Sequence, residues 1–243
     1  MADPAWVAGV DGCPAGWAVV FLDLGRAAAP VFAVAPDFAA VLASERRPVV
    51  IAVDMPIGLP DHVGANGRGP EREIRRLLGE RQSSVFSVPS RAAVMEEDYR
   101  RSCAVALVTS EPARKVSKQC FHLFPKIREI DRLMTPALEA RVYEAHPELG
   151  FWRLNGERPM ALPKKVKSRP HQPGLEERAA LLVRHGYARG FLDQALPRGV
   201  GRDDLIDAAA LALTAERIAN GEGRSFPAAP ERDARGLRMA IWA

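Results

Sequence analysis

Pro48 to Asp54, PVVIAVD, constrains this chain more than any other segment. An unbroken run of β-branched and small apolar residues, with no polar alternation, is the pattern of a strand covered on both faces. Such strands belong to α/β folds with parallel pairing. The run stops on an acid, Asp54, and the MPIGLP that follows contains Pro56, Gly58 and Pro60, which neither strand nor helix accommodates easily. A carboxylate is therefore expected at the end of a buried strand, where α/β sheets place their ligand crevice.

The other segments supply the partners of that strand. Trp6 to Val10 is apolar and runs into Asp11-Gly12, Gly16 to Leu24 reads GWAVVFLDL, and Pro30 to Ala35 reads PVFAVA. Their short links predict an antiparallel meander. Asp37 is placed to cap a helix reaching about Ser44. Helices are expected over Glu71 to Leu78, within Arg91 to Thr109, and over Lys118 to Met134. The last carries Phe121, Phe124, Ile127, Ile130 and Leu133 at helical spacing, with a break or kink expected at Pro125. Arg141 to His146, RVYEAH, alternates like a strand and stops at Pro147. Pro163 to Pro173 is a basic loop, Leu175 to His185 and Asp204 to Ala219 read as helices, and Gly236 to Trp242 as a short final strand. A meander followed by α/β crossovers predicts a mixed five-stranded sheet with helices on both faces; this is the order expected of an RNase H-like fold, and order alone would fit several others, so the site must decide. The expected organisation is one domain over residues 1–243, with a helical insertion at about 61–140.

Bulk properties narrow the setting. At 243 residues, 47% of them hydrophobic, the chain can bury a core without staples. Cys13, Cys103 and Cys120 form no CxxC pair, which argues against a disulfide framework or zinc site and fits a reducing compartment. No uninterrupted apolar stretch reaches the roughly 18 residues of a membrane span, and MADPAWVAGVDG has no basic segment leading into an apolar core. Cytoplasm, with no membrane partner, is the expectation. The net charge of +4 permits a polyanionic partner without demanding one.

The acids carry the chemistry. Asp11 ends the first strand and Asp54 the strongest one. If those strands are parallel neighbours, both carboxylates meet, and burying them is costly unless a cation pairs with them. Either acid alone would be explained by a turn cap; together they ask for a cation. In GRDDLIDAAALALTA, Asp204 and Asp207 stand three apart on a helix with an apolar body, so they are expected to share a face. A cap at Asp203 or Asp204 explains those positions well, but Asp207 lies between Ile206 and Ala208, where a cap does not reach. Hard oxygen ligands of this kind suit Mg2+ or Mn2+, and such carboxylate sites perform two-metal phosphoryl transfer. Glu144 and His146, in YEAHPEL with Glu148, would face one way on a strand and could add a ligand and a general acid or base. Ser83 and Ser84, in RQSSVFSVP, are candidates for phosphate contact, as are Lys164 and Lys165 in the basic loop.

Six blocks of this sequence resemble one family. They are GVDGCPAGWAV (Gly9 to Val19), VDMPIGLP (Val53 to Pro60), LGERQSSVFSVPSR (Leu78 to Arg91), SKQCFHLFPKIREID (Ser117 to Asp131), EAHPELGFWRLNG (Glu144 to Gly156) and DDLIDAAALALTA (Asp203 to Ala215). They are similar to domain of unknown function 429, a prokaryotic family described as predicted nucleases of the RNase H-like fold. The resemblance implies Asp11 as the first-strand acid, Asp54 as that of the fourth strand, and Asp204 and Asp207 as the acids of the C-terminal helix. It also implies a salt-bridge or substrate role for the segment holding Arg68 and Arg75, with Glu71 where the family pattern has Asp, and substrate roles for Lys126 and for the Lys164-Lys165 pair. The leading expectation is a metal-dependent nuclease. The alternatives are a non-catalytic nucleic-acid or nucleotide-binding protein of the same fold and, ranked last for want of a second glycine-rich phosphate loop, an actin-like phosphotransferase.

Overall fold

In the computed structural model, which describes residues 4–167 and 169–243, the buried run and the meander share one sheet. Strands β1 (Trp6–Cys13), β2 (Gly16–Asp23) and β3 (Val31–Ala35) are followed by the short helix α1 (Phe38–Leu42) and then β4 (Val50–Val53). Helices α2 (Gly69–Leu77), α3 (Arg91–Met95), α4 (Tyr99–Val108) and α5 (Lys118–Leu133) precede β5 (Val142–Glu144). Then come α6 (Pro147–Leu154), a small hairpin of β6 (Lys165–Val166) and β7 (Arg169–Pro170), α7 (Gln172–Arg184), α8 (Arg189–Leu192) and α9 (Arg202–Ala219). The chain closes with β8 (Ser225–Phe226) and β9 (Ile241–Trp242).

The sheet order is β3-β2-β1-β4-β5: the first three strands are antiparallel, while β1, β4 and β5 run parallel. This mixed five-stranded α/β arrangement is the one expected of an RNase H-like fold. Among the described residues, no helix is long and apolar enough to cross a membrane.

Side chains alternate across the sheet. Val7, Ala18, Val20, Leu22, Val50 and Ala52 pack with residues of α7 and α9. Ala8, Val10, Trp17, Val19, Phe21, Ile51 and Val53 pack with α1 and with α3 to α5. Helix α9 lies directly on β1, because a Cβ at Gly9 would meet Ala208 O and Ala212 N, both at 2.1 Å. Gly16 at the β1–β2 turn has φ +125, and a Cβ there would stand 2.2 Å from Ala35 O, so only glycine closes this hairpin.

Four local expectations are revised. Helix α5 continues unbroken through Pro125, and the 91–109 segment holds two helices rather than one. Pro147 begins α6 rather than merely ending a strand, as its fixed φ and missing N–H suit the first helical position. Only Ile241 and Trp242 of the last segment form a strand, pairing with Ser225 and Phe226.

Candidate metal and phosphate site

Two parallel strands and one helix carry three acids to the same end and the same side of the sheet. Val10 pairs with Val53, and Asp54 N donates to Val10 O at 2.9 Å, so Asp11 and Asp54 leave neighbouring strands at the same level. Alternation turns both toward α9: Asp11 shares the side of Val7, and Asp54 that of Ala52. Helix α9 contributes Asp207, which is 3% exposed; Asp11 is 8% exposed and Asp54 half-buried.

Their electrostatics record mutual crowding. Burial raises the Asp11 carboxyl well above its usual range, and the charges of Asp207 and Asp54 raise it further. Asp54 is pushed up to about 6 by burial, with Lys164 opposing and Glu148 adding to the rise. Asp207 is likewise pushed to about 6 by burial, held back by Lys164. Among the described residues, the Asp54 side chain makes no hydrogen bond or ion pair, Asp11 accepts only from its neighbour Gly12 N at 2.9 Å, and Asp207 Oδ1 is buried without a partner.

The remaining expected acids divide. Asp204 caps α9, its Oδ2 accepting from Gly201 N at 2.7 Å, and stands at the edge of the cluster, pushed up to about 6 by burial. Asp203, four residues before Asp207, pairs with Lys165 at 2.7 Å. Lys164 and Lys165 of the basic loop thus seat on successive turns of α9, since Lys164 Nζ pairs with Asp207 Oδ2.

Glu144 lies elsewhere. It pairs with Val53 in the parallel register, and so faces the side of the sheet away from Asp11 and Asp54. There it takes Arg68 and the Ile57 N–H, the latter at 2.7 Å. The catalytic role expected of Glu144 is therefore corrected to an internal ion pair. Arg68 is 3% exposed and fully engaged by Glu71, Glu144 and the carbonyls of Ile57 and Gly58. Of the two roles expected for this segment the salt bridge is the one present, and the substrate role of Arg68 is corrected, because a guanidinium with no solvent face is not placed to receive substrate. Arg75 braces the next loop through Val85 O and Ser87 Oγ. The Ser84 hydroxyl donates to Arg81 O within its own turn, while Ser83 is exposed.

His146 and Glu148 approach the cluster from the start of α6. Burial lowers the His146 imidazole below its usual value, keeping it neutral near pH 7; its Nε2 meets Ser84 O at 3.4 Å and its buried Nδ1 has no partner among the described residues. Glu148, the third member of the constellation read in YEAHPEL, is held by Arg178 through both carboxylate oxygens at 2.7 and 2.8 Å. On the other rim, Lys126 reaches over the β1–β2 turn, donating to Gly16 O at 2.5 Å with its ammonium 4.2 Å from the Trp17 ring centroid.

Among the described residues, no three acidic, imidazole or thiol groups are drawn together as a ready-made cation site. The donor chemistry nevertheless fits Mg2+ or Mn2+: hard carboxylate oxygens, one of them buried without a partner.

A family model described as "Protein of unknown function (DUF429)" matches residues 9–232. The chain belongs to this family. The match spans β1 through α9 and so contains every acid of the cluster. No curated protein and no solved structure matches the chain.

Proposed function

We propose that this DUF429 protein is a divalent-metal-dependent phosphodiester hydrolase acting on nucleic acid. The observation that carries the reading is the convergence of Asp11, Asp54 and Asp207 from two strands and a helix, short of cationic partners and with Asp207 Oδ1 unpaired. Mg2+ or Mn2+ held there would activate water and neutralise charge at a scissile phosphate. Neutral His146, with Nδ1 free, is placed to move a proton at the edge of the site. Exposed Lys165, Lys167 and Arg169 lie on the hairpin beside the acids, where a phosphate backbone would pass; Ser168 of the same loop lies outside the described residues.

The test is cleavage of DNA, RNA, hybrid and branched substrates with Mg2+ or Mn2+, alongside Asp11→Asn. Asn keeps the oxygen that accepts from Gly12 N and loses only the charge. The parent should cut at least one substrate and the variant none. Binding without cleavage, by a folded parent with either metal, would favour the second reading, a nucleic-acid or nucleotide-binding protein. The ion pair that already neutralises part of Asp207 supports that alternative.

A further inference from the structure

Among the described residues, Lys164 is the one cation seated on a carboxylate of the central three, and its backbone and side chain are held differently. Its main chain is pinned. Lys164 O accepts from His171 N at 2.8 Å, Pro163 O meets His171 Nδ1 at 3.0 Å, and Leu162 O accepts from Arg178 at 2.9 Å. Ala161 N and Leu162 N both donate to Glu177 at 2.9 Å. Gly174 lies so close beneath that a Cβ there would be 2.0 Å from Pro163 O. Arg178, itself 0% exposed, also grips Glu148, so one side chain fixes both the strap and the acid beside the cluster.

The side chain of Lys164 is held through its ion pair with Asp207. It is 20% exposed at the mouth of the site and extends along four rotatable carbons. Its ammonium takes one oxygen of Asp207 and leaves Oδ1 buried and unpartnered. An ammonium and a divalent ion cannot both occupy the inner side of Asp207, because like charges repel strongly in a site screened from water.

We propose that Lys164 is a resident counter-cation that competes with the divalent ion for Asp207, and that arrival of the ion swings its ammonium outward to meet an anionic phosphate. This rests on the metal reading above and adds an order of binding, metal before phosphate. No strap movement is needed: the pinned backbone keeps the expelled ammonium within a side chain's length of the site. The cost of displacement appears in affinity. If Lys164 is seated nine-tenths of the time, the apparent metal affinity is about tenfold weaker than the intrinsic one.

Two measurements test it. By calorimetry with Mn2+, Lys164→Met, which keeps length and loses charge, should bind about tenfold more tightly than the parent. In the parent, acetylation of Lys164 read by mass spectrometry should rise several-fold on replacing chelator with Mn2+, while exposed Lys115 stays constant. Should Lys164→Met fail to fold, the labelling of the parent decides alone. Unchanged or weaker Mn2+ binding in a folded variant, or unchanged Lys164 labelling in a parent that binds Mn2+, overturns the inference and leaves the metal site standing. Absence of Mn2+ binding in both proteins removes the metal site, and the inference with it.

Discussion

Replacing Asp54 by Asn isolates the energetic cost of the acidic cluster. The Asp54 carboxylate makes no hydrogen bond or ion pair among the described residues, so the substitution breaks no such contact and removes one charge. Its pKa is about 6 in the folded chain, against an ordinary 3.8. The folded state therefore keeps a proton that the unfolded chain has already released. Below 3.8 there is no penalty; between 3.8 and about 6 it grows, and above that it is constant. At about 1.4 kcal/mol per pH unit the full gap is about 3 kcal/mol. Asp54 is partly exposed and shares its repulsion with Asp207, so roughly half of this, about 1–2 kcal/mol, should be recovered by Asp54→Asn. For a chain of this size that is about 3–6 °C in melting temperature.

The assay is a thermal melt in chelator at several pH values. The parent should lose stability as pH climbs from 4 toward 6.5, and the variant should lose less. Near pH 4 the two should melt together; at pH 8 Asp54→Asn should melt higher. Adding Mn2+ should raise the parent more than the variant and so narrow or reverse the gap. A variant that melts below the parent in chelator at pH 8 would refute the reasoning, because Asp54 would then be a structural acid satisfied by the fold.

Three other outcomes follow from the same geometry. Arg68→Met should cost about 3–5 kcal/mol in urea denaturation, since it strands Glu71 and Glu144 in the interior; a loss below about 1 kcal/mol would contradict the internal role. Gly9→Ala should cost about 3 kcal/mol or prevent folding, because the new methyl meets the backbone of α9 and no side chain can yield; a normal melting temperature would mean α9 does not lie on β1 as described. Alanine at Lys165, Lys167 and Arg169 together should weaken nucleic-acid binding and flatten its salt dependence by up to about three charges' worth, Lys164 being left out because it faces inward; an unchanged slope would make the hairpin a solvated loop.

The parts of the site that were legible are those set by local pattern. PVVIAVD had to be a buried strand, and its terminal acid had to emerge where Asp54 does. Asp207 stood out because no cap reaches the second turn of an apolar helix. Glu144 misled because RVYEAH alternates convincingly. Alternation places 144 and 146 on one side only if the strand continues, and Pro147 turns the chain into α6 before it can. The face that Glu144 takes depends on its register opposite Val53, which is a property of the sheet and not of the segment. Arg68 and Lys164 were read as substrate contacts for the same reason. Glu71 is a local partner of Arg68, but Glu144 and Asp207 lie 76 and 43 residues from Arg68 and Lys164, and nothing local marks those distant pairings.

The contrast among buried acids is the strongest reason to treat the cluster as functional. Glu71 and Glu144 share Arg68, Asp131 takes Arg91 and Arg235, and Glu139 takes Arg232 and Arg238. Glu148 takes Arg178, Asp203 takes Lys165, and Asp233 takes Arg91 with the N–H groups of Leu59 and Leu237. Asp23 has the amides of Gly25, Ala27 and Ala28. A fold that answers each of these charges, mostly with rigid arginine forks, has the means to answer all of them. The departures are Asp11, with one neighbouring amide, half-buried Asp54, with no hydrogen bond or ion pair among the described residues, and Asp207, with a lysine on one oxygen and nothing on the other. All three stand at the same end of the sheet, where parallel strands terminate against a helix. Random imperfection would scatter such deficits through the interior. Their placement at one end of the sheet, beside the lysine proposed to yield its place, is what the proposed divalent-ion site would require.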